Sequence, residues 1–193
     1  GLVDVKTLPE ITGTVAQIKA VTDLEGTGTS QIDLKSNVNL KASTDTSTFS
    51  DTTLGLLQAK TTGFIDIGAA SEITGSLSNL ATIVTNKATS GDGKINYKAD
   101  VTFTASDNTL QTTTALTTAL GTTTGLFQAL NVPTVEGTLT GITTFVGLKG
   151  TSGHKINLAT DVGLKATDTA STAATALNTF NDQTSGLADA SLV

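Results

Sequence analysis

The chain has 193 residues and sets 11 basic residues, all lysine, against 17 acidic ones, a formal charge of −6. It holds no Arg, Cys, Met or Trp, one His and 41 threonines. These counts exclude a disulfide framework, a thiolate metal site and a cysteine nucleophile. They disfavour nucleic-acid binding, and no run approaches the ~18 apolar residues of a membrane span.

In chain order, Leu2-Val3-Asp4-Val5 reads as a short strand, with a second ending near Ile11. Val15, Ile18, Val21 and Leu24 then recur at three-residue intervals, the period of a helix face, with Thr14 placed to cap it. Ile32-Asp33-Leu34 and the alternating Val38-Asn39-Leu40-Lys41-Ala42 are the next strands, and Ser50–Leu57 is a second helix. The order then recurs. Phe64–Ile67 and Ile73 are strands, and Leu77, Leu80, Ile83 and Val84 mark a helix after Ser76. Ile95-Asn96-Tyr97 and Val101–Ala105 are strands, and Ala115–Leu120 is a helix. Near the end come Ile156-Asn157-Leu158, Val162–Ala166, a helix in Ser171–Phe180, and a last strand in Leu187–Val193.

The recurrence has a fixed period, which sets the organisation. Thr61-Thr62-Gly63 returns as Thr123-Thr124-Gly125 and Thr184-Ser185-Gly186, with the glycines about 62 residues apart. Gly1-Leu2-Val3-Asp4-Val5 returns as Gly63-Phe64-Ile65-Asp66-Ile67 and Gly186-Leu187-Ala188-Asp189-Ala190. Ile11-Thr12-Gly13, Ile73-Thr74-Gly75 and Leu139-Thr140-Gly141 align as a further marker, which implies about four extra residues around Ala129–Val135 and about five lost after Gly141. Repeats 1–62, 63–124 and 125–185 follow, with 186–193 opening a fourth. Each repeat is itself double, built from halves of roughly 31 residues: strand, turn, strand, helix. The glycine of Thr-Thr-Gly fits the left-handed residue that ends a helix.

A unit this small cannot bury its own apolar face, and stacking like units buries a continuous core. The expected fold is α/β, a solenoid-like array of short parallel strands and helices. An all-β repeat domain is the alternative. Leu54, Leu116 and Leu177, at equivalent places before each marker glycine, are expected in the core with Ile32, Ile95 and Ile156.

The segment Leu54–Ile67 followed by Glu72-Ile73-Thr74-Gly75-Ser76 resembles a repeat of very large cell-surface proteins, notably of cyanobacteria. Those repeats carry a Leu-rich segment, Thr-Thr-Gly, an apolar-Asp pair and an Ile/Leu-Thr-Gly step. The resemblance covers all three copies and is weakest after Gly125, where Leu126-Phe127-Gln128 replaces the apolar-Asp pair. It implies an extracellular structural or adhesive role and transfers no catalytic residue.

Catalytic candidates are weak. His154 and Ser152 are not shared by the other copies, and Gly91-Asp92-Gly93-Lys94 lacks the spacing of a phosphate loop. A metal reading rests on Asp4, Asp33, Asp66, Asn96, Asn157 and Asp189, which hold one position of the half-repeat. If such residues stack about 4.8 Å apart, calcium would relieve their repulsion; the competing role is bonding to local amides. Asn37, Asp100 and Asp161 form a second such set, and Thr12, Thr74 and Thr140 a threonine column. The expectation is a non-enzymatic, extracellular repeat protein without a cofactor unless calcium binds. It would be a segment of a bacterial surface layer, fibre or adhesin stalk, contacting itself or adjacent repeats end to end. A glycan- or cell-binding adhesin module is the alternative, with Phe127 the first residue to examine. Neither nucleic acid nor membrane insertion is expected.

Overall fold

The computed structural model describes residues 1–42, 48–121, 123–169 and 174–191. The start of the Ser171–Phe180 segment and the last two residues of Leu187–Val193 lie outside them. The described residues form short parallel strands and six helices. They divide into two compact units, Gly1–Ile73 with Thr85–Val101, and Thr74–Val84 with Thr102–Val193.

In the first unit, β1 (Val3–Asp4) pairs with β3 (Ile32–Asp33). β2 (Glu10–Thr12), β4 (Asn39–Lys41), β6 (Ile65–Asp66) and β8 (Ile95–Asn96) lie side by side in that order. β5 (Thr48–Ser50) lies beside the start of β7 (Glu72–Gly75), where the Thr48 hydroxyl donates to Glu72 at 2.8 Å. In the second unit the end of β7 is followed by β9 (Thr102–Ala105), β11 (Phe127–Ala129) and β13 (Ile156–Leu158). A further sheet runs β10 (Gln111–Thr112), β12 (Thr134–Gly137), β14 (Gly163–Ala166), β15 (Ala188–Asp189).

This order departs from a simple stack of half-repeats. The two first strands of a repeat pair with each other, as β6 with β8, and so do the two second strands, as β2 with β4. The second-strand pair then joins the first strands of the following repeat. Leu40 meets Ile65, Phe103 meets Phe127, and Leu164 meets Ala188. Equivalent strands thus meet in pairs. Alternation then puts Val38, Leu40 and Ala42, and likewise Val101, Phe103 and Ala105, into the core.

The helices keep the period. α1 (Val15–Thr22), α3 (Leu77–Thr85) and α5 (Leu139–Val146) start at equivalent places, one repeat apart. α2 (Asp51–Lys60), α4 (Thr113–Leu120) and α6 (Ala174–Asn181) fill the other halves. Hydroxyl caps start several of them. Thr14 forms a reciprocal box with Gln17, and Ser50, Thr112 and Thr138 each accept the amide three residues on. After α1, α3 and α5 the chain makes one and the same bridge, Glu25 to Ile32, Lys87 to Ile95 and Lys149 to Ile156.

The structure corrects two expectations. β2, β7 and β12 begin at Glu10, Glu72 and Thr134, one full period apart each time, so the third copy carries no insertion. The counterpart of Ile11 and Ile73 is Val135, while Leu139-Thr140-Gly141 opens α5. The threonine column therefore ends at Thr74, because Thr140 is helical and Glu136 holds its strand place. The marker glycines also differ from expectation. Gly63 and Gly186 have no positive φ and end no helix in the left-handed region. They are needed for close approach, since a Cβ at Gly63 would lie 2.6 Å from the Asn37 and Val38 carbonyl oxygens, and one at Gly186 would overlap the Asp161 carbonyl.

The threonine before each glycine closes the contact. The Thr61 hydroxyl donates to the Val38 carbonyl at 2.5 Å and accepts the Gly63 amide at 2.8 Å. Thr184 does the same with Val162 and Gly186, and the buried Thr123 accepts the Gly125 amide at 3.0 Å. Each clasp leads into a first strand, in the first unit directly beside the second strand it joins.

Leu54, Leu116, Ile95 and Ile156 are buried as expected. Leu177 and Ile32 are only half-buried. Leu116→Ala is expected to cost ~2–5 kcal/mol, read as a lower urea midpoint with an unchanged slope; an unchanged midpoint would contradict the register.

Candidate interaction surfaces

The Asp/Asn positions, expected as one column, are distributed differently by the strand register. Asp4 lies beside Asp33, and Asp66 beside Asn96. Asn157 lies beside Gln128, and Asp189 beside Lys165. The polar rows are mixed: Thr12, Lys41, Asp66, Asn96 in the first unit, and Glu136, Lys165, Asp189 in the second.

The carboxylates in these rows have near partners. Asp4, Asp66 and Asp189 accept the amide two residues on, from Lys6 at 3.1 Å, Gly68 at 2.9 Å and Ser191 at 3.0 Å. This is the Asx turn that the residue type favours. Asn96 donates its side-chain amide to Asp66 at 2.8 Å, and the Lys41 ammonium lies 3.8 Å from the other oxygen. Lys6 reaches Asp33 at 2.7 Å, and that hydrogen bond raises the lysine above its ordinary value. The Ser191 amide holds Asp189 below the usual carboxylate range. Among the described residues no group of three His, Asp or Glu side chains is placed to hold a metal ion. Of the second set, Asp100 pairs with Lys98 at 3.8 Å; the backbones of Asn37 and Asp161 press on the clasp glycines.

Several participants left a fainter trace in the sequence. Lys41 and Lys165 follow the central Leu of a second strand, and only the register shows that they face the next repeat's Asp. Asp107 and Asp168, one repeat apart, each cap a neighbouring helix by accepting the Leu77 amide at 2.7 Å and the Leu139 amide at 2.6 Å. Their repeat spacing was the available signal.

His154 directs Nδ1 at the Thr123 carbonyl. In the preceding copy Gly93 stands at the same place and donates its amide to the Thr62 carbonyl at 2.7 Å, one residue further along the marker. Gly93 has φ +68° and Ser30 φ +63°, so Gly91-Asp92-Gly93-Lys94 is a tight turn of the repeat. Phe127 is fully buried in β11.

Clefts also lie between neighbouring helices, among them the following two. Between α1 and α2 a cleft of about 130 Å³ has Val15, Leu56 and Leu57 as apolar lining. Asp23 pairs there with Lys19 and, at 3.6 Å, with Lys60; the Lys19 hydrogen bond lowers the Asp23 carboxyl below its ordinary value. Its volume is below the ~300 Å³ of ordinary ligand pockets. Between α4 and α5 a groove of about 380 Å³ is lined by Thr113, Thr117, Thr140 and Thr144 around Phe145. The Thr117 hydroxyl is turned back on the Thr113 carbonyl of its own helix at 2.9 Å.

No family model matches the chain, nor does any curated protein or solved structure. No described helix is long and apolar enough to cross a membrane.

Adding chelator is expected to leave the melting temperature unchanged, because amides and lysines already face these carboxylates; a cation held by the fold would make it fall. A second measurement concerns Tyr97, which is buried with the Lys87 ammonium 4.3 Å from its ring centre. Burial pushes its phenol up to about 12. The fold prefers the neutral phenol, so this contribution is complete below the unfolded value near ~10 and is lost as pH rises through the folded one. Absorbance titration of this sole tyrosine should give a midpoint near 12 in the native chain and near ~10 in denaturant.

Proposed function

We propose that the chain is a non-enzymatic structural repeat segment of a bacterial surface layer, fibre or adhesin stalk, displayed outside the cell. The observation that carries this reading is the strand order. Each second-strand pair is completed by first strands of the next repeat, so successive repeats are joined by backbone hydrogen bonds and shared apolar rows. A stalk under tension is served by such continuity, because separating repeats means breaking backbone hydrogen bonds between parallel strands and exposing the apolar rows beneath them. The aromatic residues agree with it. Of the seven, Phe49, Tyr97, Phe103, Phe127, Phe145 and Phe180 are buried and Phe64 is half-buried, whereas sugar-binding surfaces present aromatic faces outward.

The adhesin-module alternative draws on the threonine-lined groove between α4 and α5, where several hydroxyl side chains line one concave surface. The two readings separate experimentally. Antibodies to the chain should label intact cells that make it, and a glycan array should show no sugar retained. Labelling only after permeabilisation would overturn the surface role. A retained glycan, lost on substitution of Thr144, would favour the adhesin module.

A further inference from the structure

The helices of the second unit differ from those of the first in charge. α1 and α2 carry Lys19, Asp51 and Lys60, whereas α3, α4, α5 and α6 hold no Asp, Glu or Lys at any position. In a chain with 15% charged residues, four consecutive helices without one are a segregation of charge. The charges of this unit stand on its strands and turns, as in the Glu136, Lys165, Asp189 row.

The four helices also lie side by side. α4 touches α5, and α5 touches α6. Clefts of about 310, 380 and 310 Å³ lie between α3 and α4, α4 and α5, and α5 and α6. Their linings present more carbon than oxygen. Asp107 lines the first cleft, and its carboxylate is engaged on the Leu77 amide at 2.7 Å. The outer face of this layer is thus a set of ridges and furrows, the relief with which helices interdigitate.

A third feature concerns the hydroxyls. Each helix folds one threonine back on the carbonyl four residues earlier. Thr82 donates to Ser78 at 3.0 Å, Thr117 to Thr113 at 2.9 Å, Thr143 to Leu139 at 2.8 Å and Thr179 to Thr175 at 3.0 Å. A donor satisfied within its own helix can leave water without being stranded. What such a residue has left to offer a neighbour is chiefly its methyl group.

A face of this kind rejects a charged partner, whose charge would be desolvated against no counter-charge, and it withholds these four donors from a sugar. It matches a surface of its own kind. Two copies at −6 each repel one another, and the face without charge is where they approach at least electrostatic cost. We propose that the α3–α6 face of one copy packs against the same face of a second copy, ridges into furrows, as a two-fold contact. A helix of eight residues is about 12 Å long and its neighbour about 10 Å away, so four present on the order of 500 Å². A standard interface buries about 800 Å² per partner. The contact is therefore weak, with a dissociation constant on the order of 0.1–1 mM, and it adds up where many copies lie side by side. The inference deepens the structural reading above and rests on it for its purpose. The association itself is read on the isolated chain, whether or not that chain is displayed on a cell.

Sedimentation from about 10 µM to about 2 mM should show a monomer–dimer equilibrium. Sodium chloride should leave it unchanged or strengthen it, by screening the repulsion between two acidic chains. The variants that decide stand at Thr144, an exposed residue that lines both the α4–α5 and the α5–α6 cleft. Thr144→Lys and Thr144→Asp should each weaken dimerisation at least about tenfold, because a neutral partner face rejects either sign. Their far-ultraviolet dichroism and urea midpoint should match the unaltered chain. Thr144→Leu should strengthen dimerisation about threefold. Monomers at every concentration, in the unaltered chain and in Thr144→Leu, would overturn the inference. So would dimers that persist in both charged variants. Dimers that one charge weakens and the opposite charge strengthens would overturn it too, since the partner surface would then be a charged one. A sugar retained by the monomer and lost in both charged variants would give the face to a glycan instead.

Discussion

The parallel seam between a repeat's second strand and the next repeat's first strand is the contact on which the rest of the fold depends. A two- or three-residue strand has too little surface to hold a place alone. At the seam, Leu40 meets Ile65 and Phe103 meets Phe127, and all four are almost completely buried. The Thr-Gly clasp fixes where the chain enters that contact. Thr61 binds the Val38 carbonyl while Gly63 lets the two backbones approach as no larger residue could. A hydroxyl and a missing Cβ thus set the register of the strand two residues on, and register decides which side chains enter the core.

The same register explains the charges. A column of carboxylates would have repelled itself, and the seam avoids this by inserting lysine from the preceding repeat, as in the Glu136, Lys165, Asp189 row. The 3.8 Å Lys41–Asp66 pair is partly solvated and adds little stability. Its consequence is specificity, since a one-residue slip would remove the lysine and turn the apolar row outward. An arginine-free chain loses nothing by this, because the rows offer one oxygen at a time and a single ammonium is enough.

Much of this was legible in the sequence because each signal was local. The repeat period, the alternation of Val38–Ala42, and Thr14 as a cap can all be read along the chain without knowing which strands meet, and the α/β class with parallel strands followed. What escaped depends on that pairing. The recurrence of Asp4, Asp33 and Asp66 suggests an unbroken column, but hydrogen bonding pairs halves first and repeats second, and periodicity alone does not distinguish these. Leu139-Thr140-Gly141 imitates the Ile-Thr-Gly marker, while Thr134-Val135-Glu136-Gly137 keeps only its alternation and its glycine. Gly63 reads as a helix end because it follows one. Its neighbours in space, Asn37 and Val38, belong to the half-repeat before it.

The topology also explains why the repeat is twice as long as its motif. Apart from the short β5 and β10 that precede a helix, a single half offers one first strand and one second strand, and within the repeat each of these finds only its own kind. The first pair is completed by second strands from before, and the second pair by first strands from after. A half-repeat therefore cannot close a sheet, and a full repeat closes one only with its neighbours. Stability in such an arrangement resides at the junctions as much as within the repeats.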